Sequence, residues 1–126
     1  MLEKIELPET ADTPSVLFDH QSCVLELKGE SYPENAQEFY QPILESLNRF
    51  VKADRGPLVV SVNLPYFNSS SSKCLLDIFD ILEEYAVHRK GIQVNWYYQE
   101  GDEDLRESGE DFAEDLALTF NLISFT

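Results

Sequence analysis

The run Leu58-Val59-Val60-Ser61-Val62-Asn63-Leu64 constrains this chain more than any other stretch. Valine side chains are branched at Cβ, lose rotamer freedom in a helix and pack well on a pleated surface. A near-continuous apolar run of strand length reads as a central strand with both faces covered. Arg55-Gly56-Pro57 breaks the chain before it, and the polar stretch from Tyr66 to Ser72, read as a turn, follows it. A strand of this kind needs helices to cover it, and two amphipathic segments flank it.

Upstream, Ala36, Phe39, Tyr40, Ile43, Leu44, Leu47, Phe50 and Val51 recur at three and four residues, which predicts a helix. Pro42 lies inside it, removes one backbone hydrogen bond and is expected to kink it. Downstream, Leu75, Leu76, Ile78, Phe79, Ile81, Leu82 and Tyr85 form a second helix with a wide apolar face. Gly91 is expected to stop it after the basic turn Arg89-Lys90.

Four further strands are expected. Val16–Phe18 and Cys23–Leu27 flank the turn Asp19-His20-Gln21-Ser22, Ile92–Tyr98 alternates, and Phe120–Phe125 closes the chain. The acidic segment Glu100–Asp115 carries Leu105 and Phe112 and reads as a third helix. Leu7–Pro14 reads as an irregular lead-in. The order implies an α/β fold: a single-domain sandwich over residues 1–126, with about five strands in a mixed sheet and about three helices packed on it. With 126 residues, 43% of them hydrophobic, the chain can build one real core.

Charge narrows the function classes. Twenty-four acids against nine basic residues leave a net charge of −15. Such a surface repels phosphate backbones and anionic lipid, so neither nucleic acid nor membrane is an expected partner. It suits a partner that presents a basic face. No apolar stretch of about 18 residues exists, so no membrane insertion is expected. The first residues lack the basic start and apolar run of a secretion signal, and a cytoplasmic location follows as the expectation. Cys23 and Cys74 lack metal or redox spacing and read as small packed side chains.

The most informative polar segment is Leu64-Pro65-Tyr66-Phe67-Asn68-Ser69-Ser70-Ser71-Ser72-Lys73. It sits where a helix starts, with backbone N–H groups lacking partners. Asn or Ser there caps the helix, and the same spot tolerates a phosphate on a serine. Both readings stand on pattern alone: serines as caps, or serines as a switch. Ser31-Tyr32-Pro33-Glu34-Asn35 has the same ambiguity. Ser31 or Asn35 caps the first helix, while Tyr32 can anchor an interface.

Ser31–Asn35 before the first helix, with Tyr66-Phe67-Asn68-Ser69-Ser70-Ser71 and Lys73, resembles the SiaC family of bacterial regulatory phosphoproteins. Asp77–Glu84 and Trp96-Tyr97-Tyr98 are similar as well, and the match keeps its spacing over nearly the whole chain. The resemblance implies a fold like that of STAS anti-sigma-factor antagonists and a protein that is neither an enzyme nor dependent on a cofactor. It further implies partner switching. The unphosphorylated form binds and activates a diguanylate cyclase, in cyclic di-GMP signalling linked to aggregation and biofilm. A Ser/Thr kinase with a histidine-kinase-like fold and a PP2C-type phosphatase set the state.

The family's usual acceptor is a Thr directly after the Asn of this loop. Here that position is Ser69, which keeps the hydroxyl and loses the methyl, and Ser70 and Ser71 stand next to it as less favoured acceptors. Tyr32, Pro33, Glu34, Asn35, Tyr66, Asn68, Ser70 and Lys73 are the implied partner-binding residues. An anti-sigma-factor antagonist that sequesters an anti-sigma factor or kinase is the alternative with the same switch. His20 and His88 lack ligand-like neighbours, and the acids between Asp102 and Asp115 lack the glycine-centred spacing of a calcium loop. They read as a solvated helix face or an electrostatic docking surface.

Overall fold

The valine run is β4 (Leu58–Asn63), third from one edge of a six-stranded sheet. The computed structural model describes residues 2–126, so Met1, the first residue of the expected single domain, lies outside the described residues. The other strands are β1 (Lys4–Leu7), β2 (Ser15–Asp19), β3 (Val24–Lys28), β5 (Ile92–Gln99) and β6 (Thr119–Phe125). Their order in the sheet follows the chain, antiparallel from β1 to β3 and parallel from β3 to β6. Three helices, α1 (Ala36–Lys52), α2 (Ser69–Ala86) and α3 (Glu103–Glu114), supply the crossovers that parallel strands require. The mixed α/β sandwich matches the expected class, with one strand more than the five foreseen.

That extra strand is β1. Its four residues show no clean alternation, and only pairing with β2, Ile5 opposite Phe18 and Leu7 opposite Val16, makes it a strand. Other boundaries moved less. Helix α1 runs unbroken through Pro42, because the apolar stripe on both sides is locked into the core. Helix α2 ends at Ala86 rather than at Gly91, and Arg89 reaches back to bind Asp54 (2.6 Å). Helix α3 is shorter than the acidic segment, beginning after the cap Asp102.

One expectation is overturned: β4 is not covered on both faces. Leu58, Val60 and Val62 are fully buried, whereas Val59, Ser61 and Asn63 are half-buried. All three helices lie on one side. Phe50 of α1 meets Phe18, Phe79 of α2 meets Phe120, and Phe112 of α3 meets Trp96, with ring centroids 5.4–6.0 Å apart. The other side is an open row in register, Leu17, Glu26, Ser61, Asn95 and Asn121. Ser61 and Asn63 of β4 share that face with polar residues of the neighbouring strands, and together they leave it to water.

Helix α3 approaches the sheet closely through Gly109. A Cβ there would lie 2.6 Å from Trp96 Cδ1 and from Leu122 Cδ2. Trp96 is fully buried and donates its indole N–H to the Leu105 carbonyl (3.1 Å), while Tyr97 and Tyr98 are half-buried. Tyr98 packs against the core while Tyr97 lines the open face, so the three aromatics alternate as expected.

Candidate functional site

The two loops singled out by sequence meet in space. The Ser31 N–H donates to the Tyr66 carbonyl (2.9 Å), and the Asn68 N–H donates to the Ser31 carbonyl (3.0 Å). This short parallel bridge, Ser31 with Phe67, joins the lead into α1 to the lead into α2. Side chains reinforce it. The Ser71 hydroxyl donates to the Ser31 carbonyl (3.0 Å), and Ser31 Oγ lies 2.8 Å from Ser71 Oγ and 2.7 Å from the Tyr40 hydroxyl. All three side chains are out of contact with water, and burial pushes the Tyr40 phenol up to about 12.

Asn68 is the N-cap of α2, its backbone extended and its Oδ1 accepting from the Ser71 N–H (2.9 Å). The Ser72 N–H bonds the Asn68 carbonyl (2.9 Å). Ser69–Ser72 therefore form the first turn of the helix and not the polar turn expected before it. Among the described residues, the N–H groups of Ser69 and Ser70 have no partner in this turn. No acid occupies that turn, unlike the first turns of α1 (Glu38) and α3 (Glu103, Asp104). Positive potential from the unpaired N–H groups is left uncompensated at this one helix start.

The four serines are not equivalent. Ser69 and Ser70 are exposed and Ser72 is half-buried, while Ser71 is fully buried with its hydroxyl committed to Ser31. Asn35 caps α1 through the Glu38 N–H (3.1 Å), leaving Ser31 free for the inter-loop network. Around the helix start, Tyr32 and Tyr66 form an edge-to-face pair (5.8 Å) that stays solvent-facing at 39% and 52% exposure. Glu34, Asn35, Ser70, Lys73 and Asp77 line the cleft between the starts of α1 and α2. Pro33 is buried behind them. Sequence reasoning missed Tyr40, which reads as ordinary core until its hydroxyl is placed.

A second polar cluster lies elsewhere. Buried His20 Nε2 is 2.8 Å from Ser46 Oγ, and Ser46 donates to Glu3 Oε1 (3.0 Å). Glu3 is gripped by Arg49 (2.7 and 2.9 Å), which holds its carboxyl down to about 2. Ser46 gives its one proton to Glu3, so His20 must be the donor of their bond. A nucleophilic serine needs the reverse direction. The cluster is a latch between β1, the β2–β3 turn and α1. Among the described residues, no group of three His, Cys, Asp or Glu is placed to hold a metal ion. Among the described residues, no helix is long and apolar enough to cross a membrane.

Comparison with known proteins identifies the architecture. The model of the SiaC family of regulatory phosphoproteins matches residues 7–125. An uncharacterised protein of Pseudomonas aeruginosa strain UCBPP-PA14 is 33% identical over 119 residues, 94% of each chain. Among solved structures, a chain in the complex of the diguanylate cyclase SiaD with its activator SiaC from Pseudomonas aeruginosa superposes with a TM-score of 0.92. It is 32% identical, covering 96% of this chain and 99% of that one. Another structure, SiaC of Pseudomonas aeruginosa, gives 0.90 at 31% identity, covering 98% and 99%. A family match over nearly the whole length, joined to relatives above 30% identity with the same fold, places this chain in the SiaC family of regulatory phosphoproteins.

Proposed function

We propose that this chain, acting as one unit over residues 1–126, is a phosphorylation-switched activator of a diguanylate cyclase in the cytoplasm. The observation that carries the reading is the exposed Ser69 hydroxyl at an acid-free helix start, framed by the solvent-facing Tyr32–Tyr66 pair. The likeness to a SiaC seen with its cyclase supplies the partner class. The cyclase covers Tyr32, Tyr66 and the start of α2, with Pro33 setting the loop and Glu34, Asn35, Asn68, Ser70 and Lys73 contributing polar contacts.

A histidine-kinase-like Ser/Thr kinase transfers a phosphoryl group from ATP to Ser69 Oγ, releasing ADP, and a PP2C-type phosphatase hydrolyses the ester. The phosphate adds a charge of about −1.5 to −2 at a surface the cyclase must dry. Burying it without a partner costs several kcal/mol, enough to release the complex without any refolding. Burial of Ser71 and its bond to Ser31 disfavour it as acceptor, and exposed Ser70 is the nearest alternative. The chain itself performs no catalysis in this scheme and binds no cofactor.

The test combines mass spectrometry after treatment with the kinase of the same organism and cyclic di-GMP formation by its cyclase. A single phosphate on Ser69 and stimulation by wild type and Ser69→Ala are expected. Ser69→Asp should bind at least tenfold more weakly. Equal stimulation by Ser69→Asp, or a phosphate placed outside Ser69 and Ser70, overturns the proposal.

A further inference from the structure

Four adjacent strands, β3 to β6, are parallel, yet one face of their sheet carries no helix. Parallel sheets are found almost only with both faces covered. The bare face also departs from the electrostatics of the chain. Among the described residues, its charged groups are two bases, Lys4 and Lys28, against three acids, Glu6, Asp19 and Glu26, a net of −1. The other −14 of the chain's −15 lies on the helices and loops. Several polar groups of the face are already bonded within the sheet. The Asn121 amide donates to Asn95 Oδ1 (2.9 Å) and Gln93 Oε1 (3.3 Å), and the Ser15 hydroxyl donates to the Lys28 carbonyl (3.1 Å). Bonded groups cost less to dry than free ones. The two ends of the face differ in shape. Toward β2 and β3 a hollow of about 470 Å³ opens over Leu17, Glu26 and Ser61. Toward β6, Tyr97, Ile123 and Phe125 leave apolar surface in contact with water, Phe125 at 40% exposure.

We propose that a second copy of this chain covers the bare face, the two sheets packing against each other with the helices outside. The inference stands independently of the cyclase reading above. A symmetric pair needs a patch that complements itself. A two-fold axis in the interface, running along the strands between β3 and β4, sets β6 of each copy over β1 and β2 of the other. The apolar end of one face then meets the hollow end of its partner. Charge selects this face over every other. Two chains of −15 repel wherever their acids meet, but here each contributes only −1. Packed sheets lie about 10 Å apart, so the two acidic helix layers, each behind its own sheet, stay beyond the Debye length of about 8 Å. Six strands about 4.8 Å apart, with five or six residues rising about 3.3 Å each, give a face of roughly 500 Å² per copy. The total of about 1,000 Å² is at the lower bound for a specific interface, which makes the pair a weak, reversible dimer. Both Ser69 helix starts lie on the helix side and stay exposed in it.

Sedimentation equilibrium of the purified full chain across its soluble concentration range, at low and high salt, tests the proposal, with circular dichroism to check folding. The variants are Phe125→Glu, Lys28→Glu, Val87→Glu and Ser69→Asp. Phe125 and Lys28 are exposed, so both face variants are expected to fold. Val87, 75% exposed at the end of α2, and Ser69 lie on the helix side and serve as controls. The wild-type mass should rise with concentration toward twice the monomer's. Phe125→Glu should weaken the dimer about tenfold or more. Lys28→Glu takes each face from −1 to −3 and should weaken it a few-fold at low salt, with the difference shrinking at high salt. Val87→Glu and Ser69→Asp should dimerise as wild type does. A wild type that stays monomeric at its highest concentration overturns the proposal. So does a folded Phe125→Glu that dimerises fully. Loss of the dimer in Val87→Glu or Ser69→Asp, with Phe125→Glu unaffected, overturns it in favour of the helix side.

Discussion

Removing the Ser31 hydroxyl tests whether the two loops are joined as the geometry says. Ser31 Oγ bonds the buried Tyr40 hydroxyl (2.7 Å) and also meets Ser71 Oγ (2.8 Å). Ser31→Ala strands the phenol in a dry site, and an orphaned buried hydroxyl costs about 1–3 kcal/mol. Tyr40→Phe removes the phenol oxygen instead. Ser31 keeps Ser71, nothing is orphaned, and the loss is about 1 kcal/mol, the net worth of one hydrogen bond. Ser31→Ala/Tyr40→Phe removes both ends and should be no less stable than Ser31→Ala alone, a coupling of about 1–2 kcal/mol against additivity. Urea unfolding of the four proteins at pH 7 measures the cycle. Additive losses would refute the network, and with it the account of how the Ser69 helix start is held.

Other outcomes follow from the same geometry. The Tyr40 phenol is raised from 10.0 to about 12 in the folded chain, so it stays neutral there while the unfolded chain ionises. Stability should therefore fall between pH 10 and 12, and Tyr40→Phe should flatten that limb in a pH series of unfolding midpoints. Glu3 is lowered from 4.5 to about 2, chiefly by its bond from Arg49, so its contribution is present above pH 4.5 and lost as pH falls toward 2. Burial lowers His20, so its contribution is full above pH 6.5 and declines as the pH falls. Glu3→Gln should remove the lower of these two acid limbs. Gly109→Ala should reverse the usual sign for a helix. Propensity favours Ala by about 1 kcal/mol, but a Cβ 2.6 Å from Trp96 and Leu122 overpacks the core at about 1–3 kcal/mol. Net destabilisation with altered tryptophan fluorescence is expected, and a stabilised variant would refute the close approach of α3.

What could be read from the sequence is what depends on neighbours a few residues away. The 3.6-residue stripe of α1, the apolar face of α2, the strand at Leu58–Asn63 and the capping chemistry of Asn35 and Asn68 are all local, and all are present. At the loops, local chemistry marked Asn68 and the serines as helix-start residues and Tyr32 as a candidate anchor, whereas the roles of Tyr66, Ser69 and Lys73 rested on the family resemblance. Tertiary structure alone decided which residues 26 to 46 positions apart would meet. Ser31 with Ser71, His20 with Ser46 and Glu3 with Arg49 are separated by 40, 26 and 46 residues. No periodicity encodes such pairs, because each forms only after the sheet order and helix positions are set. The same holds for β1, which is a strand only because β2 lies beside it. It holds for β4 too, whose valines are apolar enough for two covered faces. One face stays open because its own Ser61 and Asn63 line up with Glu26, Asn95 and Asn121 on other strands. Burial is a property of the neighbours a residue acquires, and a strand does not choose its neighbours by its own composition.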